Sequence, residues 1–491
     1  MEKKGGAGAS DELIKAMEKA QLEDGAQLTE SQLLVQQQDP IVAVEKALGV
    51  RLDADTKDLL RQEAATEPTY QGKVKKMLDH LKKTKYSENR KVLRNIDNVE
   101  PLYDIHEFWD SQPVPKAYEK IDESMYDQQI DVPKTVADVR PEPYTLPPGY
   151  TWANIDIGNR TEAQEVYDLL TQNYVEDDDN MFRFDYSIEF LQWALTPPGF
   201  HKEWLFGVRG GKKNKLFGFI SGIPVDTKIR GKQVTMAEIN FLCVHKSLRT
   251  KRLATVLIKE VTRRVNLHDI WQAIYTAGVL IPLPISKTTY WHRSLNPKKL
   301  VEVGFSSLPA NTPMARYVKL LKLPGETSVK GLREMQKSDV KVVHDLLNAY
   351  LSKFEVHLHF TEAEVAHFLL PRAGVVDTYV VENPQTKEIK DFLSFYHLPS
   401  SILKHEVHKT LRVAYCYYNV ANTVPMEELI RNALIIAKQK DFDVFNALDI
   451  MENETLLKEL KFGIGDGNLH YYFYNWRVPE FKPNQIGIVL V

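Results

Sequence analysis

The segment Lys246-Ser-Leu-Arg-Thr-Lys-Arg252 places Arg249, Lys251 and Arg252 at the head of a stripe Leu253, Leu257, Val261, Val265 that has helical spacing. Backbone N–H groups at a helix N-terminus, reinforced by cations, suit a polyphosphate; a solvated basic helix start is the plainer alternative. Immediately upstream, Cys243 and His245 lie two apart on a predicted strand and so share a face, the arrangement of a thiol nucleophile beside a base. No partner acid is evident, and Cys is commonly a small buried hydrophobe, so the packing reading carries more weight. The run Glu176-Asp-Asp-Asp179 by itself reads as a solvated loop. Gly463-x-Gly-x-Gly467 alone is a weak phosphate-loop signal. His357, His359, His397, His405 and His408 lack a dense metal spacing, so no metal is expected. The chain ends Ile486-Gly-Ile-Val-Leu-Val491, which by itself reads as a terminal strand.

These residues need a scaffold large enough to hold them. With 491 residues, 43% hydrophobic and 10% aromatic, the chain can bury a core divided between two units. Its 63 basic residues against 66 acidic ones give no global field to gather nucleic acid, which argues against sequence-specific nucleic-acid binding. Cys243 and Cys416 are the only cysteines and there is no signal stretch, so a cytoplasmic, disulfide-free protein is expected. No apolar run reaches a membrane-spanning length. Residues 1–100 read as a mobile, partly helical extension, with helical patterning from Asp39 to about Arg90. Its lysines, Lys73, Lys75, Lys76, Lys82, Lys83 and Lys85, are candidate contacts for a ribosome or a membrane surface, with a solvated helix face as the bland reading.

The rest repeats one pattern. Trp204–Val208 and Lys215–Ile223 predict a hairpin, Thr235–Val244 a third strand, Arg249–Val265 a helix and Ile270–Thr276 a further strand. Thr378–Glu382 and Asp391–His397 predict a second hairpin around Asn383–Lys387, followed by a strand Arg412–Val420, a helix opened by Thr423 and Pro425, and a strand Asp443–Leu448. The second strand-to-helix junction reads Asn422-Thr-Val-Pro-Met-Glu-Glu428, so only the first could hold a polyphosphate.

A hairpin, strand, helix and parallel strand used twice resembles the acetyltransferase-like (GNAT-like) fold of coenzyme A-dependent N-acyltransferases. Longer blocks are more specific. Phe108-Trp-Asp-Ser-Gln-Pro-Val114, Asn173 through Tyr186, Glu238-Ile-Asn-Phe-Leu-Cys-Val-His-Lys246, Tyr275-Thr-Ala-Gly278, Tyr290 through Pro297, Phe445-Asn-Ala-Leu-Asp449 and Lys461-Phe-Gly-Ile-Gly-Asp-Gly467 are similar to conserved blocks of the N-myristoyltransferase family. The resemblance runs from about Phe108 to Val491. It implies an α/β (α+β mixed-sheet) fold of two GNAT-like halves related by a pseudo-two-fold. Residues 101–325 would bind myristoyl-CoA as acyl donor, and 326–491 would contribute a peptide site and a catalytic C-terminus.

The implied reaction is attack of an N-terminal glycine amine on the thioester, with no metal. The resemblance implies backbone N–H groups of Phe241 and Leu242 as oxyanion donors, the terminal carboxylate of Val491 as base, and Asn240 and Thr276 orienting the amine. An apolar tail can be threaded into a core with only its last charge reaching the site. A glycine ammonium near pKa about 8 must lose a proton before attack, so a carboxylate acceptor is chemically sensible. Acyl-CoA contacts are implied for Glu107, Phe108, Trp109, Asn173, Tyr174, Val175, Phe241, Leu242, Cys243, Val244, Arg249, Thr250, Lys251, Arg252, Leu253 and Ala254. Peptide contacts are implied for Asp177, Asp179, Asp466, Gly467, Tyr290, His292 and Ser400. Ser111 stands where Thr is usual and Thr255 where Pro is common, both mild departures. The chain begins Met-Glu, so it would acylate others rather than be acylated, and a monomer is expected. The competing readings are an N-acetyltransferase on the same fold and an inactive binder of acyl-CoA or N-terminal glycines.

Overall fold

The computed structural model describes residues 39–48, 51–83, 106–117, 119, 121–175, 181–281 and 283–491. In chain order, the first half carries β1 Tyr150–Asn154, β2 Phe182–Phe184, β3 Phe206–Gly210, β4 Lys215–Ile229, β5 Lys232–Val244, β6 Ala273–Ala277 and β7 Ser286–Ser294. The second half carries β8 Leu332–Glu334, β9 Val356–Leu358, β10 Val376–Glu382, β11 Ile389–His397, β12 Ser400–Ile402, β13 Thr410–Leu411, β14 Val413–Cys416, β15 Val444–Leu448, β16 Gly463–Tyr474 and β17 Ile486–Gly487. Among the described residues, fourteen of these strands form one mixed sheet, whose main path runs β1, β3, β4, β5, β6, β16, β7, β15, β14, β11, β10, β8.

Read from either end, the path repeats itself. β3 and β4 form an antiparallel hairpin, β5 pairs antiparallel with β4, and β6 returns parallel to β5. In the other half β10 and β11 form the hairpin, β14 is antiparallel to β11, and β15 returns parallel to β14. At the centre the halves exchange strands. β7 follows β6 in the chain but pairs with β15, while β16 follows β15 but pairs with β6, and the two pair with each other. Neither half therefore has a complete sheet without the other.

The predicted helices form for the expected reason. In Leu253–Asn266 the residues Leu253, Val256, Leu257, Val261 and Val265 are buried together with Trp204, Phe206 and Ile220. Gly207 permits close packing beneath, because a Cβ there would lie 2.2 Å from the Gly218 carbonyl oxygen. Polar groups on this helix are paired: burial alone would raise the Glu260 carboxyl, but hydrogen bonds from Arg263 and Arg264 hold it below its ordinary value. Arg264 also donates to Asn154 Oδ1 at 2.6 Å and the Glu203 carbonyl at 2.7 Å, tying the helix to β1 and to the turn before β3.

Several boundaries differ from the sequence reading. The first helix begins at Leu253 rather than Arg249, because Lys246–Lys251 closes a tighter 3₁₀ turn and Arg252 adopts a left-handed φ of 58°. β3 begins at Phe206 rather than Trp204, since Lys202–Trp204 is a short turn, and β6 begins at Ala273 rather than Ile270. β14 stops at Cys416 rather than Val420. There the ladder gives way to local bonds: Tyr418 N–H donates to Ser394 Oγ at 3.1 Å, and Ser394 N–H to Asn419 Oδ1 at 3.0 Å. Within the predicted N-terminal extension, Pro40–Leu48, Ala54–Ala64 and Tyr70–Lys82 form a packed three-helix unit around Val44, Leu48, Leu60, Val74, Met77 and Leu81. Lys76 of that unit is bonded to Thr66 Oγ1 at 2.9 Å. Residues 1–38 and Lys85 lie outside the described residues.

The second strand-to-helix junction explains itself. The carboxylate of buried Asp391, on β11, accepts from the N–H groups of Asn422 at 2.6 Å, Thr423 at 2.7 Å and Val424 at 3.1 Å, and from the Thr423 hydroxyl. The amide cradle is thus filled from within, and Glu427 and Glu428 follow in the first turn of the helix Met426–Gln439. Replacing Asp391 with Ala removes the shared acceptor of those part-buried donors, which water can reach in its place, and so costs the net worth of charge-assisted hydrogen bonds, about 1.5–3 kcal/mol. Denaturant unfolding of Asp391→Ala is expected to show a loss of about 1.5–3 kcal/mol.

Candidate active site

The centre of the site is a break in the pairing of β4 and β5. Phe219 faces Cys243 and Ser221 faces Asn240, so Phe241 and Leu242 together oppose Ile220 alone. This bulge turns the backbone of both residues out of the regular ladder. Phe241 holds a φ of 54°, a conformation that costs a non-glycine residue about 1–3 kcal/mol. Packing enforces it, since Phe241 is buried with its ring 5.1 Å from Tyr186 and 6.1 Å from Tyr174. Beside the bulge, the parallel pairing of β5 with β6 is confined to Ala237 with Ala273 and Glu238 with Ile274. β5 runs on to Val244 and β6 to Ala277, so the two strands part where the bulge lies.

Asn240 joins the bulge to the end of the chain. Its Oδ1 accepts from the Phe241 N–H at 2.8 Å, its Nδ2 donates to a terminal oxygen of Val491, and its carbonyl accepts from Ser221 Oγ at 2.9 Å. The tail reaching this point is threaded and anchored. β17 pairs with β9, which itself pairs with the far end of β4. The Tyr471 hydroxyl then donates to the Ile488 carbonyl at 2.8 Å, and the Val489 N–H donates to the Tyr418 hydroxyl at 3.1 Å. Ile486 and Ile488 are fully buried. Thr276 stands on β6 opposite Tyr471, the same tyrosine that holds the tail.

A small cavity of about 30 Å³ adjoins the terminus, lined by Val491, Glu238, Asp226, His359 and Glu364 among others. Glu238 gave no functional signal in the sequence beyond opening a motif. Its two-residue spacing from Asn240, which puts both on one strand face, was the available clue. Burial pushes its carboxyl up to about 8, so near neutral pH it is largely protonated beside the terminal carboxylate.

At the other end of β5, Asn173 closes the helix Arg160–Asn173 onto the basic turn. Its Oδ1 accepts from the Lys246 N–H at 2.9 Å and its carbonyl accepts from the Arg249 guanidinium. The 3₁₀ turn followed by left-handed Arg252 is a geometry that directs successive N–H groups to one side, as anion sites require. Thr255 Oγ1 donates to the Arg252 carbonyl at 2.7 Å, bracing that turn. Arg252 pairs with Glu107 at 2.9 Å. Next to Glu107, Phe108 meets Trp109 edge-on at 5.0 Å, and Trp109 stacks on Tyr275 at 5.8 Å. Glu107–Trp109, Asn173, Tyr174 and the segments 241–244 and 249–254 are therefore linked into one region, with Val175 exposed at its edge. These donors and the open strand gap fit an extended thioester cofactor whose phosphates lie at the turn.

Cys243 is no nucleophile. Burial pushes its thiol up to about 12, and His245 is committed to Ser247, with Nδ1 and Oγ 2.8 Å apart. His397 is bonded to Asp377 at 2.7 Å, His408 to Glu302 at 3.2 Å, and His357 Nδ1 faces the Leu358 carbonyl at 3.0 Å.

The remaining candidates gather where the halves exchange strands. Between Ile464 and Asn468, β16 makes a wide bulge against β7, so Gly465, Asp466 and Gly467 stand out beside Tyr290 and His292. Glycine is required there, because a Cβ on Gly465 would lie 2.4 Å from His292 Nε2. The Gly-x-Gly-x-Gly segment is thus a strand bulge rather than a phosphate loop. His292 Nδ1 is 2.7 Å from Asn446 Oδ1, and burial holds this ring below its ordinary value despite the Asp466 charge. Ser400 on β12 pairs with Phe184 on β2, which joins the halves again. Asp177 and Asp179 lie outside the described residues.

A hairpin, a further antiparallel strand, a helix and a parallel strand define an acetyltransferase-like fold, present here in two copies, and the first copy alone adds the bulge and the basic turn. The models of myristoyl-CoA:protein N-myristoyltransferase match this chain at residues 129–288 for the N-terminal domain and 302–489 for the C-terminal domain. The chain belongs to the N-myristoyltransferase family. It is 54% identical over 387 residues to glycylpeptide N-tetradecanoyltransferase 1 of Arabidopsis thaliana, covering 79% of this chain and 89% of that one. With the corresponding enzyme of Plasmodium falciparum it shares 49% over 386 residues, 79% of this chain and 93% of that one. A crystal structure of Saccharomyces cerevisiae N-myristoyltransferase with bound myristoyl-CoA superposes with a TM-score of 0.74 at 41% identity, covering 79% of this chain and 95% of that chain.

Glu238 makes the stability pH-dependent. A carboxyl whose folded value lies above its ordinary 4.5 costs nothing below pH 4.5, where it is protonated in both states. The cost grows as the unfolded chain ionises and levels off above about pH 8. Glu238→Gln is therefore expected to be more stable than the parent by roughly 4 kcal/mol at pH 8.5, an advantage that vanishes near pH 4. Thermal unfolding at the two pH values measures it.

Proposed function

We propose that the chain transfers myristate from myristoyl-CoA to the N-terminal glycine amine of protein substrates, by direct attack of the amine on the thioester at the β5 bulge. The observation that carries this reading is the Asn240 amide, which touches both the Phe241 N–H and the terminal carboxylate of Val491. It puts a candidate base and a candidate oxyanion donor on one side chain.

Bound myristoyl-CoA supplies the activated thioester. The chain's own residues do the rest. Arg249, Lys251 and Arg252, with the N–H groups of the turn, hold phosphates, and the gap between β5 and β6 receives the thioester arm. The Val491 carboxylate accepts a proton from the glycine ammonium, whose reference pKa of about 8 leaves it mostly charged at neutral pH. Asn240 and Thr276 orient the amine across that gap. The N–H groups of Phe241 and Leu242 stabilise the charge that develops on the carbonyl oxygen, Phe241 exchanging its bond to Asn240 Oδ1 for that oxygen, and collapse of the adduct breaks the C–S bond to expel the coenzyme A thiolate, which takes up the proton the new amide nitrogen sheds. Tyr290, His292, Ser400 and the projecting Gly-Asp-Gly bulge line the peptide side, with Asp466, Asp177 and Asp179 available to a basic residue of the substrate. In this division of labour residues 101–325 bind the acyl donor and 326–491 the peptide. The reading places the activity in the cytoplasm, supported by two free buried cysteines and by the absence, among the described residues, of a helix long and apolar enough to cross a membrane.

Myristoyl-CoA offered with an octapeptide beginning Gly is expected to yield acylpeptide, while the same peptide beginning Ala yields none. Acetyl-CoA turnover in its place would overturn the assignment. Deleting Val491 is expected to lower kcat by about 10²–10⁴, the range of a lost general base, while acyl-CoA affinity changes little. Single-turnover kinetics beside equilibrium binding separate the two effects.

A further inference from the structure

The helix Leu253–Asn266 carries the basic turn at one end, and roughly 20 Å along its axis, at the other, a second group of side chains converges. His201, Glu203 and His268 each bring a donor atom to within 4.8 Å of the others. His268 Nε2 and Glu203 Oε1 are 2.6 Å apart, and the His201 and His268 ring centroids lie 4.1 Å apart at an angle of 44°. His201 backs onto the buried ring of Trp204 at 4.4 Å. Nothing in the acyl-transfer chemistry uses these residues.

The backbone beneath them is fixed. His201 and Glu203 belong to the turn at Lys202–Trp204, which is pinned by Arg264 donating to the Glu203 carbonyl at 2.7 Å and by the burial of Trp204. His268 is held by its own N–H, which donates to the Val265 carbonyl at 3.0 Å in the turn that ends the helix. The side chains themselves are half-exposed or exposed, so their donors are reachable from solvent. The nearby guanidiniums of Arg263 and Arg264 are neutralised by Glu260, and the negative end of a helix dipole lies close at hand.

Two imidazoles and one carboxylate are a donor set for zinc, nickel or copper, and a poor one for calcium or magnesium, which prefer oxygen ligands. Donors about 2.0–2.2 Å from a tetrahedral ion lie about 3.4 Å from one another, so side-chain rotations that open the 2.6 Å His268–Glu203 pair and bring in the more distant donor would admit the ion. We propose that His201, Glu203 and His268 form an accessory site for one divalent transition-metal ion of the zinc class, its fourth position open to solvent. The ion would clamp the turn before β3 to the C-terminal end of the helix whose other end carries the basic turn.

The test is titration of the full-length chain with zinc alone by calorimetry, repeated with cobalt while following its visible absorption. One equivalent should bind with micromolar affinity or better, and cobalt should give the spectrum of a four-coordinate ion with nitrogen ligands. Removing a mere outer-shell partner of a bound metal costs about 10–100-fold, so His268→Ala and Glu203→Gln should each weaken binding by at least about 100-fold. Glu203→Gln keeps the shape of the turn, and equal thermal unfolding of the metal-free variants checks that they fold. His405→Ala addresses the other stacked pair, His405 and His408 at 5.1 Å, and should leave the affinity unchanged. Absence of one-equivalent binding, binding unaltered in both His268→Ala and Glu203→Gln, or binding lost in His405→Ala would overturn the proposal.

Discussion

A terminal carboxylate can sit at a fixed point only if the residues before it are anchored, and the chain meets that constraint by burying its own end. Ile486 and Ile488 occupy core positions, Tyr471 and Tyr418 bond to the tail backbone, and β17 adds to β9, which is already fastened to β4. The anchors come from the second half and the strand they serve, β5, from the first. This requires the halves to be inseparable, and the exchange of β7 and β16 across the centre of the sheet makes them so. A bulge on β5 then meets a carboxylate delivered from the far end of the chain.

The two halves share a topology and differ at one junction. In the first, the strand-to-helix turn is basic, and its left-handed Arg252 keeps the amides directed outward. In the second, the same amides close on the carboxylate of Asp391, and glutamates open the helix. A cradle satisfied by its own chain has no free donors left for a phosphate.

Much of this was legible beforehand. Strand and helix periodicity located the hairpins around 204–223 and 378–397 and the two helices, because amphipathic stripes are set by the local sequence. Boundaries slipped where side chains substitute for the ladder, as at Ser394 and Asn419, or where a 3₁₀ turn precedes a helix, as at Lys246–Lys251. The packed unit at 40–82 was underestimated because short helices owe their stability to one another rather than to propensity.

By itself the sequence determined the order and type of elements, the basic turn at Arg249–Arg252 and the apolar character of the last residues. It also carried long family blocks that name candidate residues one by one. It could not determine which strands exchange at the centre, that Gly463–Gly467 is a bulge rather than a phosphate loop, that Asp391 fills the second cradle, or that Glu238 shares a cavity with Val491. Those facts depend on pairing between residues tens to hundreds of positions apart. Such pairing is set by which buried polar groups find partners once the chain has closed, and local pattern carries no record of it.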